Sequence, residues 1–170
     1  ITKRLNLFPY QMLFFSAFRY GNLQPAFPEI AGKTERKLST LQADEQVLLL
    51  TGIASPAPIM QELEKYTSHI DLLAFDDHHN FSQRDIQSIR ERFKKLKGEQ
   101  RLIITTEKDA TRLVHHPVMD RELKKYIYIL PIEVEILQNQ QDIFNQHIIG
   151  YVRENTRDGS FSERKAAHKS

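Results

Sequence analysis

Apolar and polar positions divide the chain into three stretches. Residues 1–28 are crowded with aromatic and aliphatic side chains: Phe8, Tyr10, Phe14, Phe15, Phe18, Tyr20 and Phe27 are seven of the sixteen Phe and Tyr. Gln11 to Tyr20 has high strand propensity but little alternation of apolar with polar residues. Such a strand is buried on both faces or waits for a partner. Gly21 to Pro25 reads as a turn, and Glu29 to Glu45 as a polar loop with a short helix or strand.

From Gln46 onward the pattern becomes regular. Val47-Leu48-Leu49-Leu50 is a continuous apolar run, as expected of a strand covered on both faces. Ser55-Pro56 then predicts a helix start, a cap followed by proline at the first helical position, and Ile59, Met60, Leu63 and Tyr66 fall on one helical face. Ile70 to Phe75 is a second strand. Ser82 with Asp85 is a capping-box pattern, and Ile86, Ile89, Phe93 and Leu96 continue it as a helix ending at Gly98. Leu102 to Ile104 is a third strand, and Thr106 with Asp109 caps a short helix that stops before Pro117. Ile127 to Leu137 is a fourth extended stretch, and Pro131 within it predicts two strands or one bent strand. Ile143, Phe144, Ile148, Tyr151 and Val152 mark a last amphipathic helix.

This alternation predicts parallel strands joined by right-handed crossovers: a Rossmann-like layered α/β sheet of mostly parallel strands, preceded by a β-ribbon linker. The predicted organisation is a ribbon over 1–45, an α/β domain over 46–155, and a polar, disordered tail over 156–170.

Composition narrows the function classes. The chain has 170 residues, with 24 Lys and Arg against 22 Asp and Glu, for a net charge of +2. A strongly basic nucleic-acid module is excluded, so no nucleic-acid partner is expected. Cysteine is absent, which removes disulfides, thiolate zinc sites and Cys nucleophiles. No apolar run reaches the ~20 residues needed to span a bilayer, and no signal-peptide pattern is present. The chain begins at Ile1 rather than Met and is expected to be a piece of a longer protein.

In such a sheet, functional groups gather at the carboxyl ends of the strands. Three polar clusters are predicted there: Thr51-Gly52-Ile53-Ala54, Asp76-Asp77-His78-His79 and Thr105-Thr106-Glu107-Lys108-Asp109. A carboxylate beside an imidazole can orient the ring and raise its basicity, and the same residues could ligate a divalent metal. The bland alternative is a loop in which Asp77 makes a turn and His78 covers the sheet edge. Glu107 and Asp109 suit a helix N-terminus, whereas Lys108 opposes its dipole. Lys108 could hold a phosphate or pair with Asp77. Gly52 could allow close backbone approach to a ligand, but no G-x-G-x-x-G or Walker A sequence is present. His69, His115, His116 and His147 read as ordinary surface or core groups.

Thr51-Gly52-Ile53-Ala54-Ser55-Pro56, Asp77-His78, Thr106-Glu107-Lys108-Asp109-Ala110 and Tyr128-Ile129-Leu130-Pro131-Ile132 stand in an order and spacing that resembles the tetraacyldisaccharide 4'-kinases, the lipid A 4'-kinases. Phe15 to Tyr20 is similar to that family's interdomain connection, and the resemblance covers Phe14 to Val152. It implies transfer of the ATP γ-phosphoryl, with Mg²⁺, to the 4'-hydroxyl of a tetraacylated disaccharide 1-phosphate, at the cytoplasmic face of the inner membrane of Gram-negative bacteria. It also implies an amino-terminal P-loop domain joined by a β-ribbon to a smaller α/β domain. This chain resembles the second domain with the ribbon. The P-loop, the Mg²⁺-binding acids and the membrane-associating helix of the family are not in it.

Carried over by motif, His78 would face the P-loop domain and help one of its carboxylates deprotonate the sugar hydroxyl, with Asp77 orienting His78. The motif fixes His79 less firmly. Gly52 matches a family-motif position, and Glu107, Lys108 and Asp109 match the family block with a structural or hinge-edge role. The chain alone is then expected to lack kinase activity and to bind neither ATP nor Mg²⁺ tightly. The apolar ribbon, residues 8–27, is expected to seek pairing, as in a homodimer. Two rivals stand beside this reading: an Asp-His-His manganese phosphoesterase, and a non-catalytic α/β interaction module that docks through the ribbon.

Overall fold

Val47 to Leu50 are completely buried, and the reason is two-sided cover. The computed structural model describes residues 6–8, 11–32, 35–77 and 79–166, without the side chains of 157–166. In chain order the elements are β1 (Ser16–Tyr20), β2 (Gln24–Pro25), α1 (Pro28–Ala31), β3 (Gln46–Thr51), α2 (Ala57–Leu63), β4 (Ile70–Ala74), α3 (Gln83–Lys95), β5 (Arg101–Thr106), α4 (Glu107–Val114), α5 (Arg121–Lys124), β6 (Ile127–Leu130), β7 (Ile132–Ile136) and α6 (Gln141–Ala166). They fall into two compact units, Tyr20–Glu133 on the one hand, and the segments before and after it on the other.

Tyr20–Glu133 is built on a five-stranded sheet in the order β2-β6-β5-β3-β4. β3 pairs in parallel with β4 and with β5, β5 pairs in parallel with β6, and β2 closes the far edge antiparallel to β6. The predicted α/β sheet of mostly parallel strands is the observed one. Successive residues of β3 point to opposite faces. Leu48 and Leu50 join Ile86, Ile89 and Phe93 of α3 and Leu113 of α4 on one face. Val47 and Leu49 join Ile59 and Leu63 of α2, with Leu38 and Leu41, on the other. Each such Leu, fully buried, contributes about 1.5–3 kcal/mol.

The boundaries differ from those read in the sequence. Leu23, Ala26 and Phe27, assigned to the ribbon, are buried in this unit, because β2 adds to the sheet as its edge. The polar stretch after α1 is also anchored. Arg36 exchanges backbone hydrogen bonds with Leu23, and its guanidinium forks onto both oxygens of the buried Glu45 at 2.6 Å. α2 begins at Ala57, after Pro56, with no side-chain cap. α3 opens with the predicted Ser82–Asp85 capping box but ends at Lys95, because Leu96 turns extended to pack against the core. Gly98, at φ +98°, lies in the loop beyond. Pro131 divides the fourth extended stretch into two strands, and the two belong to different sheets.

In the other unit β1 and β7 form a two-stranded ribbon. Leu137 N–H donates to the Phe15 carbonyl at 2.8 Å, Arg19 pairs with Glu135 at 3.1 Å, and the Phe14 ring meets Phe144 of α6 edge-on at 5.2 Å. Many of its apolar side chains face solvent, including Phe18 at 55% and Val134 at 61% exposure. α6 continues to Ala166, where a disordered tail was expected from residue 156, and residues 167–170 lie outside the described residues. So do Phe8's neighbours 9 and 10 in the segment expected to dimerise.

Candidate functional site

β3, β4 and β5 run parallel, so their carboxyl ends share one edge of the sheet. The loops that follow them carry the three polar clusters. Between β3 and β5 the chain also switches direction: β4 lies on one side of β3, whereas β5 and β6 lie on the other. In open α/β sheets this switch point is where a ligand crevice forms.

Here the crevice is filled from within. Asp109, fully buried, accepts the Gly52 N–H at 2.8 Å and the Thr106 hydroxyl at 2.7 Å on one carboxylate oxygen, Oδ2. Its own N–H donates to Thr106 Oγ1 at 3.2 Å, which is the predicted cap of α4. Gly52 is required at this contact. A Cβ there would stand 2.9 Å from Asp109 Oδ1 and 3.2 Å from the Asp76 carbonyl oxygen. The close approach expected of Gly52 is therefore made to the protein's own Asp109 and Asp76.

Lys108 makes the pairing expected of it: Nζ lies 2.5 Å from Asp77 Oδ1, across the edge from α4 to the loop after β4. The two side chains are 38% and 45% exposed, so the pair adds at most about 1 kcal/mol to stability. Glu107 is exposed in the first turn of α4. His78 lies outside the described residues.

His79 is committed to structure. Its ring stacks on Phe75 at 4.7 Å and meets Phe81 edge-on at 5.5 Å, and Nε2 lies 3.0 Å from Asp85 Oδ2. The same oxygen accepts the Ser82 N–H and hydroxyl, each at 2.7 Å. Burial disfavours the Asp85 carboxylate, but the Ser82 and His79 hydrogen bonds outweigh it and hold its carboxyl below the ordinary value. Residue-type reasoning missed one further tie: Arg112 Nη1 donates to the His79 carbonyl at 3.2 Å. The available signal was spacing, since Arg112 stands four residues after Lys108 and shares its helix face. Of the lone histidines, His115 and His116 sit at the end of α4, His69 is exposed, and His147 packs 6.3 Å from the Phe14 ring. Among the described residues, no three or more His, Asp or Glu are grouped to hold a metal ion.

Comparison with known proteins points to one family. The family model described as Tetraacyldisaccharide-1-P 4'-kinase matches residues 15–152. A tetraacyldisaccharide 4'-kinase of Bacteroides fragilis is 71% identical over the whole chain, which covers 45% of that protein. The corresponding kinase of Bacteroides thetaiotaomicron is 67% identical, with 100% of this chain and 46% of that protein covered. The chain thus spans less than half the length of these curated relatives. A crystal structure of LpxK from Aquifex aeolicus in complex with ATP is 14% identical, covering 82% of this chain and 36% of that one, with a TM-score of 0.44. With more than three-quarters of its length matched by the family model, the chain belongs to the tetraacyldisaccharide-1-P 4'-kinase family.

Proposed function

We propose that this chain is the carboxy-terminal part of a lipid A 4'-kinase, which transfers the ATP γ-phosphoryl to the 4'-hydroxyl of tetraacyldisaccharide 1-phosphate. The observation that carries the reading is the family match over 15–152, which takes in every strand end gathered at the shared edge. In this reading His78, helped by Asp77, faces an amino-terminal P-loop domain across a cleft. There it assists a carboxylate of that domain in taking the hydroxyl proton. Gly52, Glu107, Lys108 and Asp109 shape the edge.

The chemistry of the edge supports a division of labour. Phosphoryl transfer relies on cations and N–H donors around the phosphates. Here the crevice at the switch point is occupied by Asp109 against Gly52, and the first turn of α4 carries two acids, which repel a phosphate. We assign both ATP and Mg²⁺ to the remainder of the parent protein. The parent acts on its lipid at the cytoplasmic face of the inner membrane. No helix among the described residues is long and apolar enough to cross a membrane.

One observation favours a second reading, the interaction module: the exposed apolar side chains of the ribbon and α6, among them Phe18, Val134 and Tyr151. We take their partner to be the rest of the parent chain in preference to a homodimer through residues 8–27. The phosphoesterase reading has no such support, because the second histidine of its motif is bound to Asp85.

The test is phosphoryl transfer from ATP to tetraacyldisaccharide 1-phosphate by the full-length protein and its His78→Ala variant, with the present chain assayed alone. A fall in kcat of roughly a hundredfold is expected for loss of a proton-transfer group, and no turnover is expected from the chain alone. Full activity in the variant would reduce the Asp-His motif to structure, and inactivity of the full-length protein would favour the module.

A further inference from the structure

Among the described residues, every exposed large apolar side chain except Val118 lies in the unit that holds the ribbon and α6. On α6 they are ordered. Phe144, Ile148, Tyr151 and Val152 stand at i, i+4, i+7 and i+8, on one face of the helix. The face begins covered, because the Phe14 ring packs edge-on against Phe144. It goes on uncovered: Ile148, Tyr151 and Val152 are each half or more exposed. A contiguous apolar surface of this kind marks a contact with something else.

Three occupants compete for it: a bilayer, a second copy of the chain, and the rest of the parent chain. A helix that lies on a bilayer carries Lys and Arg along its polar face. Between Gln141 and Thr156, α6 has one such cation, Arg153, against the acids Asp142 and Glu154. The choice between the other two follows from the ribbon. Phe15 meets Leu137 and Arg19 meets Glu135, so β1 and β7 run antiparallel. The chain ahead of Phe14 and the chain leading into α6 therefore leave the ribbon at the same end. The present chain covers 45% of its Bacteroides fragilis relative, and in a carboxy-terminal part the remaining length lies on the Phe14 side. A surface tethered there meets α6 at roughly millimolar effective concentration. A second copy loses its translational and rotational freedom on binding and has no such tether.

We infer that the Ile148–Tyr151–Val152 face of α6 docks on the amino-terminal part of the parent chain, so that this last helix completes the fold of that part. The inference rests on the reading of this chain as a carboxy-terminal part, and it gives the exposed face one partner. The surface that fits it is apolar and uncharged, with a hydrogen-bonding group in reach of the Tyr151 hydroxyl.

The experiment uses the full-length protein and reads solvent access directly. Cysteine is absent from this chain, so it is placed singly, as Ile148→Cys in one variant and Gln146→Cys, on the opposite face, in another. Each is labelled with a maleimide, and the extent is followed peptide by peptide by mass spectrometry. Both positions are exposed in the present chain. With the face docked, the Ile148→Cys thiol should react roughly tenfold or more slowly than the Gln146→Cys thiol, because a docked side chain reacts only when its contact opens. The rate should not change with protein concentration or with added vesicles. Val152→Asp introduced beside Ile148→Cys should restore fast labelling and lower the melting temperature, since an unpaired charge is expelled from an apolar contact. Val152→Cys repeats the measurement and serves if Ile148→Cys fails to fold.

Equal labelling at the two positions overturns the inference. So does protection that disappears on dilution, which identifies a second copy, and protection that appears only with vesicles of phosphatidylcholine and phosphatidylglycerol, which identifies a bilayer. The assay contains neither ATP nor lipid substrate, so the kinase reading is tested apart from it. An inactive parent with a slow Ile148→Cys thiol refutes that reading and leaves the docked helix in place.

Discussion

β3 and β1 are both extended segments rich in residues that favour strands, yet their fates are opposite. Val47 to Leu50 of β3 have no exposed surface, whereas Phe18 of β1 and Val134 of its partner β7 are more than half exposed. The difference lies outside the strands. β3 is paired on both edges and covered on both faces by helices, while the ribbon has two strands only, and a two-stranded sheet is marginal without further packing. Propensity selects the extended backbone, and burial depends on what the rest of the chain can lay over it.

Substitutions can break or sharpen this contrast. The largest effect is expected for Leu49→Ala, which empties a fully buried position at a cost of about 2–5 kcal/mol, against about 0.5 kcal/mol or less for the exposed Val134→Ala and Arg19→Ala. Urea unfolding measures both. Comparable losses would mean that the ribbon has a core of its own. Asp109→Ala should cost about 2–4 kcal/mol, because it strands the buried Gly52 N–H and loosens the Thr106 cap. The same denaturation assay checks it, and a neutral outcome would show that the switch-point crevice tolerates an empty space. Arg36→Ala should cost about 2–3 kcal/mol, less than for a fully buried pair because the guanidinium retains some exposure. Glu45→Gln, by keeping an acceptor for Arg36, should lose less.

The smallest effect concerns pH. The Asp85 carboxyl lies below its ordinary value in the folded chain. Its contribution to stability is therefore present above the unfolded value of about 3.9 and is lost as pH falls through the folded value. Thermal midpoints should drop between about pH 5 and about pH 3, and they should drop less in Asp85→Asn. An unchanged slope in that variant would show that His79 is held by its two phenyl neighbours alone.

Much of the central unit was legible in residue order. The unbroken apolar run at Val47 to Leu50, the Ser82–Asp85 box and the Thr106 cap each announce their structure through neighbours in sequence. What escaped was decided by partners distant in sequence. Arg36 and Glu45 looked like two charges in a polar loop, although together they form a fork over a buried carboxylate. Asp109 read as a helix-dipole complement, because nothing nearby in sequence marks it as buried against Gly52. Leu96 read as part of a helix face, but the core draws it out of the helix. At the candidate site Asp77 and Lys108 were legible as a pair because both follow strands whose ends converge. Arg112 was harder to see, because its acceptor is a backbone carbonyl and only its four-residue spacing from Lys108 pointed to it.

The edge strand β2 has a consequence for how the protein is made. Gln24 pairs with Ile129, so the sheet cannot be closed until about a hundred further residues have been synthesised. At ribosomal rates that delay is roughly 5–20 s. Throughout it, the apolar side chains of Leu23, Ala26 and Phe27 have no sheet to join. The segment thus stays sticky while the rest of its sheet is being translated, and chaperone capture during that interval should centre on it.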